Sequence, residues 1–218
     1  MCFSAAASFS SSLLIAGIAT VAIQRTKSSN EKPLAFIPAL FAVQQAIEGF
    51  IWLGWKDSFW LSWQSNLSAW FLFFAWMVWP VLVPLAAWKI EPRQGRKKLM
   101  FYLTLSGILL AGIAFFQIIL AKPYPVAVNH RISYQLQSLQ EEGAIRVILQ
   151  SLYVLVTLLP LLLSSIRGLV ILGITNAIAL LISFLFFQEA LPSVWCFFAA
   201  LLSGLIAKTI PIEKPSNE

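Results

Sequence analysis

Seven long runs of apolar residues follow one another along the chain, separated by short polar segments. Each run is too long for a strand and lacks the alternation typical of strands, which predicts helices. About 20 apolar residues are enough to cross a bilayer as a helix. The pattern therefore predicts an all-α membrane protein, a bundle of seven transmembrane helices forming one integral domain over residues 1–218. The predicted spans are about 3–23, 34–55, 59–88, 99–121, 145–165, 168–187 and 191–210.

Prolines and small residues add detail to these spans. Pro80 and Pro84 lie inside the third run and Pro160 inside the fifth, and interior prolines are expected to kink a helix. In the fourth run, Gly107 and Ala111 are four residues apart. Small residues at this spacing let helix backbones approach closely in lipid. We therefore expect this row to be a helix contact.

Composition supports a membrane protein. Hydrophobic residues make up 59% of the chain and charged residues 11%, against about 45–50% and about 25% in soluble domains. These values exclude a water-soluble globule, and also a disordered chain, which needs high charge and low hydrophobicity. The net charge is +6, but the basic residues lie in short loops between apolar runs. This placement indicates membrane topology rather than nucleic-acid binding.

The distribution of lysine and arginine predicts the orientation. Eleven of them lie in the loops joining spans 1–2, 3–4 and 5–6 and in the C-terminal tail, whereas four lie on the other side. Cytoplasmic loops carry the excess of positive charge. We therefore expect the N-terminus outside and the C-terminus in the cytoplasm.

One acidic residue, Glu48, lies well inside an apolar run. Gln44 and Gln45 precede it by four and three residues and can share its helix face, and Trp52 continues the same stripe. Ionisable groups inside a membrane are costly and indicate function by default. Glu48 is either a ligand-binding or acid/base residue, or a neutral carboxylic acid that hydrogen-bonds its neighbours and serves structure.

Other polar residues collect in the outer halves of the spans. They are Gln64, Asn66, Gln117, Gln150, Tyr153 and Cys196. This distribution predicts a polar pocket opening outward over a floor of packed apolar helices. The expected ligand is a small polar or cationic molecule or a lipid headgroup. The predicted ligand-binding residues are Gln44, Gln45, Glu48, Trp52, His130 and Tyr153.

The outer segment 122–143 contains His130, the single histidine of the chain. It is either a base or ligand of the pocket or a solvated loop residue. Cys2 would become the first residue if the initiator methionine were removed, and its α-amine could then activate its thiol. Otherwise Cys2 is unreactive, lipidated or in a disulfide with Cys196. Glu48, His130 and the two cysteines match no metal motif by spacing, so no metal site is predicted.

Four segments carry a resemblance. They are Met1-Cys2-Phe3-Ser4-Ala5, residues 41–49 (FAVQQAIEG), residues 79–84 (WPVLVP) and residues 193–200 (SVWCFFAA). Together they resemble an uncharacterised family of small multipass bacterial membrane proteins that begin MCFSA, and residues 129–134 are similar to that family's outer loop. The resemblance implies a multipass protein of the bacterial inner membrane and assigns no activity.

The sequence is compatible with three functions. The first is binding at the outward-facing pocket. The second is a membrane hydrolase acting on a lipid or amide, with Glu48 or His130 as base and Cys2 as nucleophile. The third is a structural subunit that associates with other membrane proteins. Membrane lipids are expected partners in each case, nucleic acid is not, and no cofactor is indicated.

Overall fold

The computed structural model describes residues 4–136 and 143–209. Seven helices in these ranges are long and apolar enough to span a membrane, as the sequence predicts. Five of them are continuous, and the third and last are composite. The helices are α1 (Ala5–Arg25), α2 (Lys32–Leu53), α3 (Ser58–Leu72), α4 (Trp79–Ile90), α5 (Gln94–Ala121), α6 (Gly143–Leu162), α7 (Arg167–Phe186), α8 (Leu191–Leu202) and α9 (Ile206–Thr209).

Consecutive spans run in opposite directions, so the bundle has two ends. We call the end with the segments 54–57 and 122–136 the hairpin end. The end with the segments 26–31, 91–93 and 163–166 is the Glu91 end. At the Glu91 end, Arg25 Nη1 donates to the carbonyl of Ala207 at 2.7 Å and so joins the first and last spans. Between these ends, the second and last spans are the most buried.

The third span is irregular just before Pro80. Residues Phe73–Val78 are π-helical, and the N–H of Trp79 donates to the carbonyl of Phe74. In this register the next carbonyl, that of Ala75, would accept from residue 80, but proline has no N–H. The Tyr153 hydroxyl of α6 donates to the Ala75 carbonyl instead, at 2.5 Å. The irregularity falls where Pro80 was expected to disturb the helix.

The helix α5 packs directly on this proline. A Cβ atom added to Gly107 would lie 1.8 Å from the backbone oxygen of Pro80, so only glycine fits at this contact. The contact confirms that Gly107 lies at a helix interface. Gly112, five residues further along the same helix and on a different face, has nothing within 4 Å of the equivalent position.

These two glycines predict opposite effects of the same substitution. Gly107→Ala forces backbone movement between α4 and α5 and should destabilise the fold by about 1–3 kcal/mol. Gly112→Ala lowers the conformational freedom of the unfolded chain and should stabilise by about 0.5–1 kcal/mol. Thermal unfolding of both variants in detergent measures the difference. Equal effects would contradict the close contact at Pro80.

Glu91 forms a polar clip at the Glu91 end that the sequence did not indicate. Its side chain is 1% exposed. One carboxylate oxygen accepts from Ser164 Oγ at 2.9 Å and from the Ser165 N–H at 2.8 Å, and the other accepts from the Arg93 N–H at 3.3 Å. Burial raises the pKa of Glu91. The hydrogen bonds from Ser165, Ser164 and Arg93 lower the pKa by a larger amount, so the pKa is below its usual value. The clip holds the 3–4 and 5–6 connections together.

The lowered pKa of Glu91 predicts that the free energy of unfolding falls in a step at acidic pH. Its contribution is fully present above the unfolded pKa, about 4.5, and is lost as the pH falls through the lower folded value. Glu91→Gln should therefore destabilise by about 1.5–3 kcal/mol near neutral pH and remove that step. The measurement is the melting temperature as a function of pH. Glu189→Gln, at an exposed position, is the control and should leave the pH profile as in the wild type.

Between α5 and α6, part of the predicted loop forms a β-hairpin. Strand β1 (Tyr124–Val128) pairs antiparallel with β2 (Arg131–Gln135). The turn residues Asn129 and His130 both have positive φ, 49° and 58°, as a type I′ turn requires. The hairpin lies against the bundle, where Tyr134 stacks on Phe71 with ring centroids 4.6 Å apart.

Candidate functional site

The helix α2 brings Gln44, Gln45 and Glu48 to one buried face near the middle of the bundle. Each of the three side chains is fully buried, at 0% exposure. Glu48 is five residues before the end of α2 at Leu53, which places it about 8 Å below the hairpin end. We call these three residues the polar trio. The predicted shared face of the trio agrees with this common burial.

Glu48 is paired across the bundle with the last span. Ser193 Oγ donates to Glu48 Oε1, and Ser193 is also fully buried. It lies near the start of α8, after Pro192. The sequence analysis did not single out Ser193, because a serine beside a proline at a helix start looks like an ordinary terminus.

Gln44 is held by the third span. Trp79 Nε1 donates to Gln44 Oε1 at 3.0 Å, and the Trp79 ring stacks on Phe41 with a centroid distance of 3.8 Å. The Cys196 side chain lies beside both Gln44 and Glu48. The trio is thus enclosed by α4 and α8.

Several buried polar atoms of this region have no hydrogen-bond partner among the described residues. They include both amide atoms of Gln45 and the amide nitrogen of Gln44. The hydroxyls of Ser8 and Ser68 also have no hydrogen-bond partner among the described residues. Buried polar groups in folded proteins are almost always paired, with protein or with ordered water. The two glutamines therefore have two amide nitrogens that can donate to a small molecule and one amide oxygen that can accept from it.

The serines reach the level of the trio by helix geometry. Gln64 Nε2 donates to the carbonyl of Ile51 at 3.1 Å, so Ser68, one turn deeper on α3, lies at about the depth of Glu48. Ser12 Oγ donates to the carbonyl of Ala42 at 2.8 Å, which sets α1 against α2. Ser8, one turn nearer the hairpin end, is then at about the depth of Gln45.

A cavity of about 60 Å³ adjoins the trio on the side of the Glu91 end. Trp79 and Cys196, which contact Gln44, belong to its wall. Most of its lining is apolar. The polar members are Tyr153, Thr157, Asn176, Cys196 and Ser203. The cavity therefore extends from the level of the trio into the half of the bundle that the sequence predicted to be a floor of packed apolar helices.

The other predicted site residues occupy different places. Tyr153 is in the cavity wall and bonds the Ala75 carbonyl. His130 is exposed at the tip of the hairpin, whereas Glu48 is fully buried. Trp52 is half-buried and contacts Trp55, with ring centroids 5.1 Å apart. Cys2, and with it the disulfide to Cys196, lies outside the described residues.

Metal-binding chemistry has no cluster to use within residues 4–136 and 143–209. No three His, Cys, Asp or Glu side chains of these ranges lie together as a group that could hold an ion. The polar trio can form hydrogen bonds through its amide groups and provides one carboxyl group.

The hydroxyl of Tyr153 predicts a measurable effect on stability. Tyr153→Phe leaves the Ala75 carbonyl without a donor and should destabilise by about 1–3 kcal/mol. Tyr102→Phe is the control, because Tyr102 is 53% exposed, and its effect should be within about 0.5 kcal/mol. Thermal unfolding of the two variants compares them. Equal stability of Tyr153→Phe and wild type would contradict a role for this bond in holding the π-helical segment.

Comparison with known proteins gives a family match. A model of a family of unknown function, DUF6629, matches residues 1–216. No curated protein and no solved structure matches the chain.

Proposed function

Because the chain belongs to DUF6629, a family of unknown function, we propose a function from its own side chains. The protein is a membrane protein that binds a small polar ligand at the polar trio, Gln44, Gln45 and Glu48. The ligand reaches the trio from the hairpin end, which faces outward. The observation that carries the proposal is the set of unpaired amide atoms of Gln44 and Gln45 in a fully buried position.

The chemistry of these atoms defines the ligand class. An unpaired buried polar group costs about 1–3 kcal/mol, and the cost is relieved when a bound molecule completes the hydrogen bonds. Gln45 supplies an acceptor and donors, and Gln44 supplies donors through its nitrogen. A matching ligand carries at least one donor and one acceptor, as an amide, a hydroxyl group or a lipid headgroup does. The Glu48 carboxyl next to them would also suit an ammonium group.

The cellular setting belongs to the same proposal. Seven helices of membrane-spanning length and apolarity support a multipass protein. The excess of lysine and arginine in the connections of the Glu91 end favours the cytoplasm for that end. The resemblance of the opening segment to proteins that begin MCFSA favours the bacterial inner membrane, surrounded by its lipids.

The two other functions have less support from contacts. A hydrolase would use Glu48 or His130 as base and Cys2 as nucleophile, and Cys2 lies outside the described residues, so no described contact supports it. A structural subunit would need no unpaired amides in its interior. Binding therefore explains more of the site than either alternative does.

The test replaces the unpaired amide by an apolar group of similar size. Gln45→Leu removes two unpaired atoms, so it should stabilise the unliganded protein by about 1–3 kcal/mol and abolish ligand binding. Gln64→Leu is the matched control, since the Gln64 amide is bonded to the Ile51 carbonyl and its loss should destabilise. Thermal unfolding in lipid nanodiscs measures both.

The same assay identifies the ligand class. Acetamide, glycerol, ethanolamine and choline are titrated against wild type, Gln45→Leu and Glu48→Gln. At least one probe should raise the melting temperature of the wild type, and both variants should lose that rise. Stabilisation that persists in Gln45→Leu, or no stabilisation by any of the four, counts against binding at the trio.

A further inference from the structure

The polar trio and the cavity are neighbouring compartments with a shared border. Trp79 and Cys196 both line the cavity and contact Gln44. The trio lies on the hairpin side of these two side chains, and the cavity lies on the Glu91 side. A molecule that occupied both compartments would therefore have one polar end and one apolar end.

The wall of the cavity favours an apolar occupant. The polar groups in it are largely used within the protein. Trp195 Nε1 donates to Asn176 Oδ1 at 3.0 Å, and the hydroxyl of Thr157 donates to the Tyr153 carbonyl at 2.8 Å. The rest of the wall consists of apolar residues from five of the seven spans, among them Ile37, Val83, Leu158, Leu172, Ala199 and Ile206. Cavities with such walls take up apolar groups and stay free of water.

The cavity is small. Its lining residues on α6 run from Tyr153 to Leu161, but its volume is about 60 Å³, less than half of the roughly 150 Å³ of a cavity that holds benzene. This volume suits a short alkyl chain of a few carbons better than a ring system or a folded headgroup. The small size and the apolar wall together favour a single short alkyl chain.

We infer that the ligand of the polar trio is a single-chain amphiphile. Its polar head hydrogen-bonds Gln44 and Gln45 beside Glu48, and its alkyl chain passes Trp79 and Cys196 into the cavity. This inference rests on the proposed function, because the trio supplies the head site. It adds the cavity as a second subsite, with Ala199 and Leu172 in contact with the chain.

Straight-chain primary amides test the inference, because one head group serves the whole series. Acetamide probes the trio alone, propanamide and butanamide add a short chain, and hexanamide has a chain longer than the cavity can hold. Each is titrated into the full-length protein in lipid nanodiscs, with the melting temperature as readout. Affinity, expressed as aqueous concentration, should rise about fourfold for each added methylene until the cavity is full, and should then stop rising.

A pair of variants on α8 separates the cavity from the surrounding lipid. Ala199 is 8% exposed and lines the cavity, so Ala199→Leu should remove the gain from chain length and leave acetamide binding unchanged. Leu201 is 39% exposed on the same helix, and Leu201→Phe should keep the gain. A gain that persists in Ala199→Leu would mean that the chains act through the bilayer, and the inference would be overturned.

A chemical footprint provides a second measurement that needs no change in the cavity wall. The chain has two cysteines, so Cys2→Ser leaves Cys196 as the only thiol, placed at the border of trio and cavity. Butanamide at ten times its dissociation constant should slow the reaction of Cys196 with methyl methanethiosulfonate about tenfold. Equal rates with and without butanamide would overturn the inference.

The outcomes also distinguish the inference from the proposed function. If acetamide binds and longer chains bind no better, the trio is a head-only site and the inference fails alone. If the chain effect depends on Ala199 but not on Gln45, the cavity binds apolar molecules without the trio. In that case the head placement is wrong, and the proposed function fails with it.

Discussion

The hydrogen bond from Tyr153 to the Ala75 carbonyl is the contact on which the centre of the bundle depends. It completes a π-helical turn that Pro80 leaves without an amide donor. That turn sets the rotation of α4, which carries Trp79 towards α2. The bond between Trp79 and Gln44, the stacking on Phe41 and the border of the cavity all follow from this rotation.

Within an apolar environment, polar groups must find their partners inside the protein, and most of the described ones do. Glu48 accepts from Ser193, and Glu91 accepts from Ser164 and Ser165. Gln45 differs from them, because both of its amide atoms lack a partner among the described residues. Leucine would fill the same space without an unpaired atom. The proposed ligand would complete the hydrogen bonds of this amide.

Sequence alone predicted the seven helices, since length and hydropathy decide them, and it selected Glu48 with Gln44 and Gln45 from helix spacing. It could not predict the π-helical turn, because a proline pattern indicates a disturbance but not its form. Ser193 and Trp79 were missed as partners for a different reason. Both contact α2 from distant parts of the chain. The pattern of residues along one helix does not show which face of another helix packs against it.

The hydrogen-bond partner of Tyr153 could not be predicted from its depth. Counting polar residues along each span placed Tyr153 in the outer pocket, and the structure shows that its hydroxyl donates to a backbone carbonyl. The cavity was not visible in the sequence, because its wall is apolar and reads as ordinary packing. A cavity depends on how the side chains of five spans fit together, and the sequence of any one span does not show this.

Gln44 connects these observations, because its amide has two ends with different roles. Trp79 binds the oxygen and thereby fixes the orientation of the amide. The nitrogen, which has no partner among the described residues, is then directed away from Trp79. A ligand can accept from that nitrogen while the bond to Trp79 stays intact. For the proposed ligand, the π-helical turn would therefore preorganise a donor, and occupation of the site need not disturb the packing that created it.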